Sequence, residues 1–224
     1  MRERQARSAS YSVDVVLVTA TGNELAVLCV RSSGGDRERW ALPWRVPQAG
    51  EPLELAAQRL AQEALGEAPI WMEQVGAFGD GKRHPSGVDV SVAFVALVPH
   101  ETASPRAGYA WFPMRDLPPV APRQKSIIEG ATRAIQSRLD QAPIAFRLLP
   151  PTFTLGELQQ MYELLLGKRL HKASFRRALQ GAWLVEPTDE WRSEGRGRPA
   201  QLYRYLPKKR RRAHRGVRFD FLYP

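Results

Sequence analysis

Residues 40–66 read WALPWRVPQAGEPLELAAQRLAQEALG, and the chain changes character at Pro52, from loop to helix. Leu53, Ala56, Ala57, Leu60, Ala61 and Ala64 recur at three- and four-residue spacing, which lays an apolar stripe along one side of a helix over 52–65. Pro52 suits a first turn, and Gly66 suits an end that needs left-handed backbone. Positions 60, 63 and 64 are spaced i, i+3 and i+4, so they share a face. Glu63 is the single carboxylate among them; Leu60 and Ala64 carry nothing that binds a cation or moves a proton.

On either side of this helix the pattern is that of strands. Tyr11 to Thr19 and Leu25 to Arg31 are aliphatic and β-branched runs separated by Ala20-Thr21-Gly22-Asn23, which predicts a hairpin. Trp71 to Phe78 and Val88 to Val98 predict two more strands, the latter alternating Val88, Val90, Val92 and Phe94 before turning wholly apolar. Strands, one helix and strands again make an α+β sandwich. A further helix is expected over Arg123 to Gln141, with Ile127, Ile128, Ala131, Ala134, Ile135 and Leu139 on one stripe.

The charge is divided unevenly. Of a formal +10 over 224 residues, positions 1–140 contribute nothing, with 16 Lys and Arg against 16 Asp and Glu, whereas positions 141–224 hold 17 against 7. A neutral part suits folding around a small molecule, and a basic part suits phosphate backbones, where Lys and Arg displace condensed counterions. A hydrophobic fraction of 43% supports a sizeable core, in one large domain or two smaller ones, and the charge split favours two. Cys29 stands alone, which excludes an intrachain disulfide and points to a reducing cytoplasm. The opening Met-Arg-Glu-Arg-Gln is not the start of a signal peptide, and no run is apolar enough for a membrane helix.

In the basic half, Thr154-Leu-Gly-Glu157 is a capping box that opens a helix carrying Leu155, Leu158, Met161, Tyr162 and Leu165 to Gly167. A second helix is expected near Lys172 to Gln180. Its Phe175 and Leu179 point inward, and Ser174, Arg176, Arg177 and Gln180 outward. Trp183 to Glu186 and Gln201 to Tyr205 predict two strands around a Gly- and Arg-rich loop over Thr188 to Pro199. Helix, turn, helix and hairpin is the order of a winged helix. The second helix would offer Lys172, Ser174, Arg176 and Arg177 to a major groove, and the wing Arg192, Arg196 and Arg198 to phosphates or a minor groove. An RNA-binding or protein-docking module with a basic face is the alternative. The tail KKRRRAHRGVR, within 208–224, is expected to be disordered unless bound.

The segment over 40–66 resembles the Nudix box. That pattern is a glycine, five residues, a glutamate, seven residues, Arg-Glu, an apolar residue, any residue, Glu-Glu, any residue and Gly. Glu51, Arg59, Glu63 and Gly66 fall on their places; Arg45 replaces the first glycine, and Leu60 and Ala64 replace two glutamates. Joined to PIAFRLLPPTFTLGELQQMYELLLGKRLHKASFRRAL and GRGRPAQLYRY, this degenerate box is similar to that of the Nudix-related transcriptional regulators, over about 10–207. The resemblance implies a Nudix-like α/β/α sandwich with a linker helix (1–140), a C-terminal winged helix-turn-helix domain (141–207) and a basic tail. It implies a homodimeric, cytoplasmic repressor of NAD-biosynthesis or salvage genes that binds a pseudopalindromic double-stranded operator and is released by ADP-ribose or a related NAD metabolite.

In such a protein the Nudix-like pocket would bind its effector without cleaving it. The candidate contacts are Arg31, Arg39, Trp40, Arg45, Phe78, Lys82 and Arg83, with no catalytic residue, no resident cofactor and Glu63 as a vestige of the metal site. Trp40 is also readable as a core anchor, and Lys82-Arg83-His84 as a solvated hairpin tip. Two other functions stay open: a magnesium-dependent hydrolase of ADP-ribose or another nucleoside diphosphate derivative, using Glu63 and a carboxylate such as Glu101, and a regulator of sugar-utilisation genes.

Overall fold

The computed structural model describes residues 10–32, 39–139, 141–193 and 199–207. By internal contacts the chain divides into two compact units. One comprises the chain up to Val18, Val27–Ala96 and Pro105–Ala131; the other comprises Thr19–Ala26, Leu97–Ser104 and everything from Thr132 onward.

Most of the larger sheet belongs to the first unit. β1 (Tyr11–Thr21) and β2 (Glu24–Ser32) form the expected hairpin, with the turn reduced to Gly22-Asn23 and Gly22 in left-handed backbone at φ 59°. β5 (Met72–Phe78) and β6 (Val90–Leu97) are the two further strands expected from the sequence. Three short strands went unexpected: β3 (Arg39–Ala41), β4 (Trp44–Arg45) and β7 (Tyr109–Pro113). Among the described residues the strands order β3-β2-β1-β6-β5, with β4 on β1 and β7 on β2. The middle of β1 is buried from Ser12 to Ala20, because a central strand is covered on both faces.

Helix α1 (Leu53–Leu65) carries the apolar stripe, with Ala56, Ala57, Leu60, Ala61, Ala64 and Leu65 buried, and stops at Gly66, whose φ of 92° no L side chain adopts easily. Helix α2 (Pro122–Leu139) buries Ile127, Ile128, Ala131, Ile135 and Leu139. Gly130 is required there: a Cβ at this position would come within 2.7 Å of Phe78 Cζ.

The winged-helix part folds around aromatics. A 3₁₀ turn (Ile144–Leu148), β8 (Thr152–Phe153), α3 (Leu155–Leu166), α4 (Lys172–Ala182), β9 (Val185–Arg192) and β10 (Ala200–Tyr205) follow in order, and the small sheet runs β8-β10-β9. Tyr162, Phe175 and Phe153 are fully buried; Tyr162 meets Phe175 edge-on at 5.4 Å, and Phe146 meets Phe153 at 5.6 Å and Tyr205 at 4.6 Å. The capping box is complete: Glu157 N–H donates to Thr154 Oγ1 at 3.1 Å, and Thr154 N–H donates to Glu157 Oε2 at 2.7 Å.

Two expectations in this part are corrected. Trp183 does not begin a strand; it ends α4 in left-handed backbone (φ 53°) with its ring 70% exposed, so the first wing strand starts at Val185. That strand also runs on through Thr188 to Arg192, residues expected in the loop, where Trp191 and Arg192 pair with Gln201 and Ala200 across the hairpin.

Candidate functional site

Helix α1 turns positions 60 and 64 into the core and leaves Glu63 exposed. Leu60 is 4% exposed and Ala64 0%, so the two positions that would carry carboxylates in the full pattern are part of the core. Glu63 lies at the edge of that face, and Arg45 Nη1 donates to its Oε1 at 3.1 Å. The residue in the place of the loop glycine therefore pairs with the one glutamate on this face of the helix. Arg59 forms an ion pair with Glu51, tying the helix to the loop before it. The Gln48 backbone N–H, donating to Glu51 at 2.8 Å, holds that carboxyl below the ordinary glutamate range, and Arg59 adds to the effect.

Around this corner the loop before β7 closes in. Arg106 N–H donates to Ala64 O at 2.9 Å, and the Arg106 guanidinium passes over Gly66, with Nη2 3.4 Å from where a Cβ would stand. Arg59, Gln62, Glu63, Gly66 and Arg106 line a hollow of about 240 Å³. Tyr109 lies within the field of both Glu63 and Arg45. Burial raises its phenol above the ordinary range and the Glu63 charge adds to this, with Arg45 opposing. Magnesium takes an octahedron of oxygens, usually one or two from carboxylates and the rest from waters and phosphates. These residues do not fit it: one glutamate is present on the helix face, and a guanidinium holds it. Among the described residues no group of three or more His, Cys, Asp or Glu is placed to hold a metal ion.

A second polar cluster was not expected. Asp14 on β1, His84 in the β5–β6 loop and Gln124 on α2 are all buried. His84 Nε2 lies 2.8 Å from Asp14 Oδ1, and Gln124 Nε2 donates to the same oxygen at 3.2 Å. Ser12 Oγ donates to Asp14 Oδ2 at 2.7 Å. The Ser86 backbone N–H, 3.2 Å from His84 Nδ1, can only donate, so in the neutral ring Nδ1 accepts and the Nε2 proton goes to Asp14. The solvated-tip reading thus fails at His84, though Lys82 and Arg83 are exposed. Lys82 Nζ donates to Ser126 Oγ at 2.7 Å, Arg123 N–H to Arg83 O at 3.2 Å, and Arg123 Nη1 to Val88 O at 2.7 Å, fastening this loop to the start of α2.

In the winged-helix part α4 buries Phe175 and Leu179 and exposes Lys172, Arg176, Arg177 and Gln180; Ser174 is half-buried, 3.2 Å from His171 Nδ1. Arg192 lies on β9, where its Nη1 donates to Glu157 Oε1 at 2.6 Å and its Nη2 to Thr152 O at 3.4 Å. It thereby fastens the wing to the start of α3. Arg196, Arg198 and the tail 208–224 lie outside the described residues.

The family model of the NUDIX domain matches residues 10–131, and that of the NrtR DNA-binding winged helix domain matches residues 145–205. A curated relative, the "ADPR responsive transcriptional repressor NtrR" of Acinetobacter baylyi, is 30% identical over 88% of this chain and 82% of its own length. The chain belongs to the NrtR family. The crystal structure of Shewanella oneidensis NrtR complexed with a 27mer DNA is 32% identical, covers 88% of this chain and 93% of its own, and superposes with a TM-score of 0.75. A MutT/nudix family protein from Enterococcus faecalis shares the fold at 20% identity and a TM-score of 0.70.

In this NrtR-family chain the seven expected effector residues fall into two groups. Arg31 and Trp40 are register partners on β2 and β3, Arg39 is the next residue along, and Arg45 lies on β4. Trp40 is half-buried, its ring 4.8 Å from that of Phe112 on β7, a packing contact that fits the core-anchor reading. Phe78, Lys82 and Arg83 belong to β5 and the loop after it, at the opposite edge of the strand order, and Phe78 packs where Gly130 leaves room. Sequence reasoning missed Arg106, Tyr109 and the Asp14–His84–Gln124 cluster. No local pattern marks them, since they join the rest only through contacts distant along the chain.

Proposed function

We propose that this protein is a DNA-binding transcriptional repressor whose Nudix domain senses ADP-ribose or a related NAD metabolite without hydrolysing it. One observation carries the reading: an NrtR-type winged helix follows a Nudix domain on one chain, in the same order and over nearly the same length as in a curated ADPR-responsive repressor. Residues 1–140 form the sensing domain and 141–207 the DNA-binding domain, and the protein acts in the cytoplasm. None of the described helices is long and apolar enough to cross a membrane.

Lys172, Ser174, Arg176 and Arg177 contact the major groove from α4, and Arg192, Arg196 and Arg198 serve the wing. Effector contacts come from Arg31, Arg39, Trp40 and Arg45, with Phe78, Lys82 and Arg83 at the other edge of the sheet. The chain acts as a homodimer, since one winged helix touches few bases and two across a pseudopalindrome add their energies. The regulated genes are those of NAD biosynthesis or salvage. Effector binding shifts the dimer toward a state that mismatches its operator, which requires different affinities for the two states. Catalysis is absent because the α1 face is apolar at 60 and 64 and Arg45 holds Glu63.

Gel shifts of DNA from upstream of the protein's own gene test this reading. The expected outcome is a specific complex that ADP-ribose dissociates. Lack of binding to that DNA and to neighbouring promoters, together with magnesium-dependent release of AMP from ADP-ribose that Glu63→Gln abolishes, would establish a hydrolase instead.

A further inference from the structure

We infer that Asp80 is a switch carboxylate, shared between Lys82 in the loop after β5 and the buried Arg123 at the head of α2, and that an anion engaging Lys82 hands Asp80 over to Arg123. The inference rests on the sensor reading, which places Lys82 among the effector contacts, and it names the residues through which occupancy reaches α2. Asp80 stands between two cations. Lys82 N–H donates to Asp80 Oδ1 at 3.1 Å, and Lys82 Nζ lies 3.4 Å from Asp80 Oδ2. From the other side Arg123 Nε stands 3.5 Å from Asp80 Oδ1, and it has no hydrogen-bond partner among the described residues.

Exposure separates the two cations: the Lys82 side chain is 52% exposed and that of Arg123 3%. Water satisfies Lys82 when it lets go of Asp80, whereas a buried donor left unpaired keeps the full cost of its desolvation. The arrangement therefore leaves the more valuable bond unmade, and a small movement of Asp80 onto Nε would make it. Lys82 restrains that movement, since its Nζ also donates to Ser126 Oγ at 2.7 Å and so ties Asp80 to the outer side of α2. An anion that draws Nζ off these partners binds better where Asp80 has already turned to Arg123, because no ion pair is then broken. That difference in affinity is what moves a two-state equilibrium.

Arg123 is placed to pass the change on. Its backbone N–H donates to Arg83 O at 3.2 Å and its Nη1 to Val88 O at 2.7 Å, so loop and helix move together. The next residue, Gln124, is fixed to the buried Asp14 and to Leu42 N–H. The helix runs on from Ala131 in the first unit to Thr132 in the second, where Gln136 Nε2 donates to Leu166 O at 3.3 Å. One end of α2 thus holds the effector loop, and the other holds the last residue of α3, the helix before α4.

Two variants of the full chain, two residues apart, should behave in opposite ways. Lys82→Met removes the competitor for Asp80. NMR of the arginine Nε–H groups, with Arg123 identified by its loss in Arg123→Lys, should then show that proton exchanging about tenfold more slowly than in the native chain, the effect of one charge-assisted bond. Operator affinity without ligand should fall by about tenfold, as in a chain already switched. Asp80→Asn keeps an acceptor for Lys82 N–H and removes the charge, so operator binding without ligand should stay native-like. Its ratio of ADP-ribose affinities for the free and operator-bound chain, about tenfold in the native protein, should drop to about one. An unchanged Arg123 Nε proton in Lys82→Met would overturn the inference, as would an Asp80→Asn complex that ADP-ribose releases like the native one. If a variant does not fold, the native chain gives the same reading: ADP-ribose must slow exchange of that proton. If ADP-ribose releases no native complex, the sensor reading falls, and the proton in Lys82→Met still decides whether Asp80 changes partner.

Discussion

Helices α1 and α4 are of similar length, 13 and 11 residues, and differ in which of their side chains are covered. Of the three positions in α1 where the family pattern places carboxylates, Leu60 and Ala64 are buried with Ala56 and Ala57, and Glu63 is exposed. In α4 burial is confined to Phe175 and Leu179, which leaves Arg176 and Arg177 to solvent. The rest of the protein thus covers α1 at positions 60 and 64 and leaves the arginines of α4 in solvent.

The largest effect should come from forcing α1 back to the full pattern. In a Leu60→Glu/Ala64→Glu double variant two carboxylates would enter space that is 4% and 0% exposed. Burying a polar group unpaired costs roughly 2–7 kcal/mol, and an ionised one more, so the variant should unfold well below the native melting temperature or fail to fold. Thermal unfolding followed by circular dichroism checks this. A variant that melts like the native chain and binds magnesium would show that the face is accessible, and the contrast with α4 would collapse.

The converse experiment on α4 should leave stability alone and remove function. Arg176→Ala/Arg177→Ala deletes two exposed side chains, so the melting temperature should hold, surface changes being worth about 0.5 kcal/mol or less. Operator affinity should fall by about 1–3 kcal/mol for each residue that contacts bases, and preference for the operator over random DNA should fall with it. A uniform loss on every sequence, with an unchanged ratio, would make α4 a nonspecific polyanion surface.

What the sequence made legible follows the same division. The β1–β2 hairpin, α1, α2, α3 and α4 declare themselves because each repeats a period over many residues or ends in a recognisable cap, as at Thr154 and Gly66. β4 and β8 have two residues each and β3 has three, too few for any alternation to show, and they exist because longer strands offer them an edge. The Asp14–His84–Gln124 cluster joins residues 70 and 110 positions apart, so no window along the chain contains it. Arg45 could be recognised as a departure from the pattern; its ion pair with Glu63, 18 residues on, needed the fold. Trp183 misled because an aromatic residue before Leu and Val reads as strand, whereas the backbone there turns left-handed to close α4.

The smallest effect sharpens the comparison at the helix ends. α3 opens with a complete capping box, but α1 starts at Pro52 and α4 at His171, neither of which makes a side-chain capping bond. Thr154→Ala removes the acceptor for Glu157 N–H and should cost about 1 kcal/mol, a loss that urea unfolding resolves. His171→Ala removes no cap and should stay within about 0.5 kcal/mol of the native chain. Equal losses at the two positions would mean that α4 draws stability from His171 through its contact with Ser174. In that case the exposed helix would be held at its start by a local bond. With the expected difference, it is held by Phe175 and Leu179 against the aromatic core.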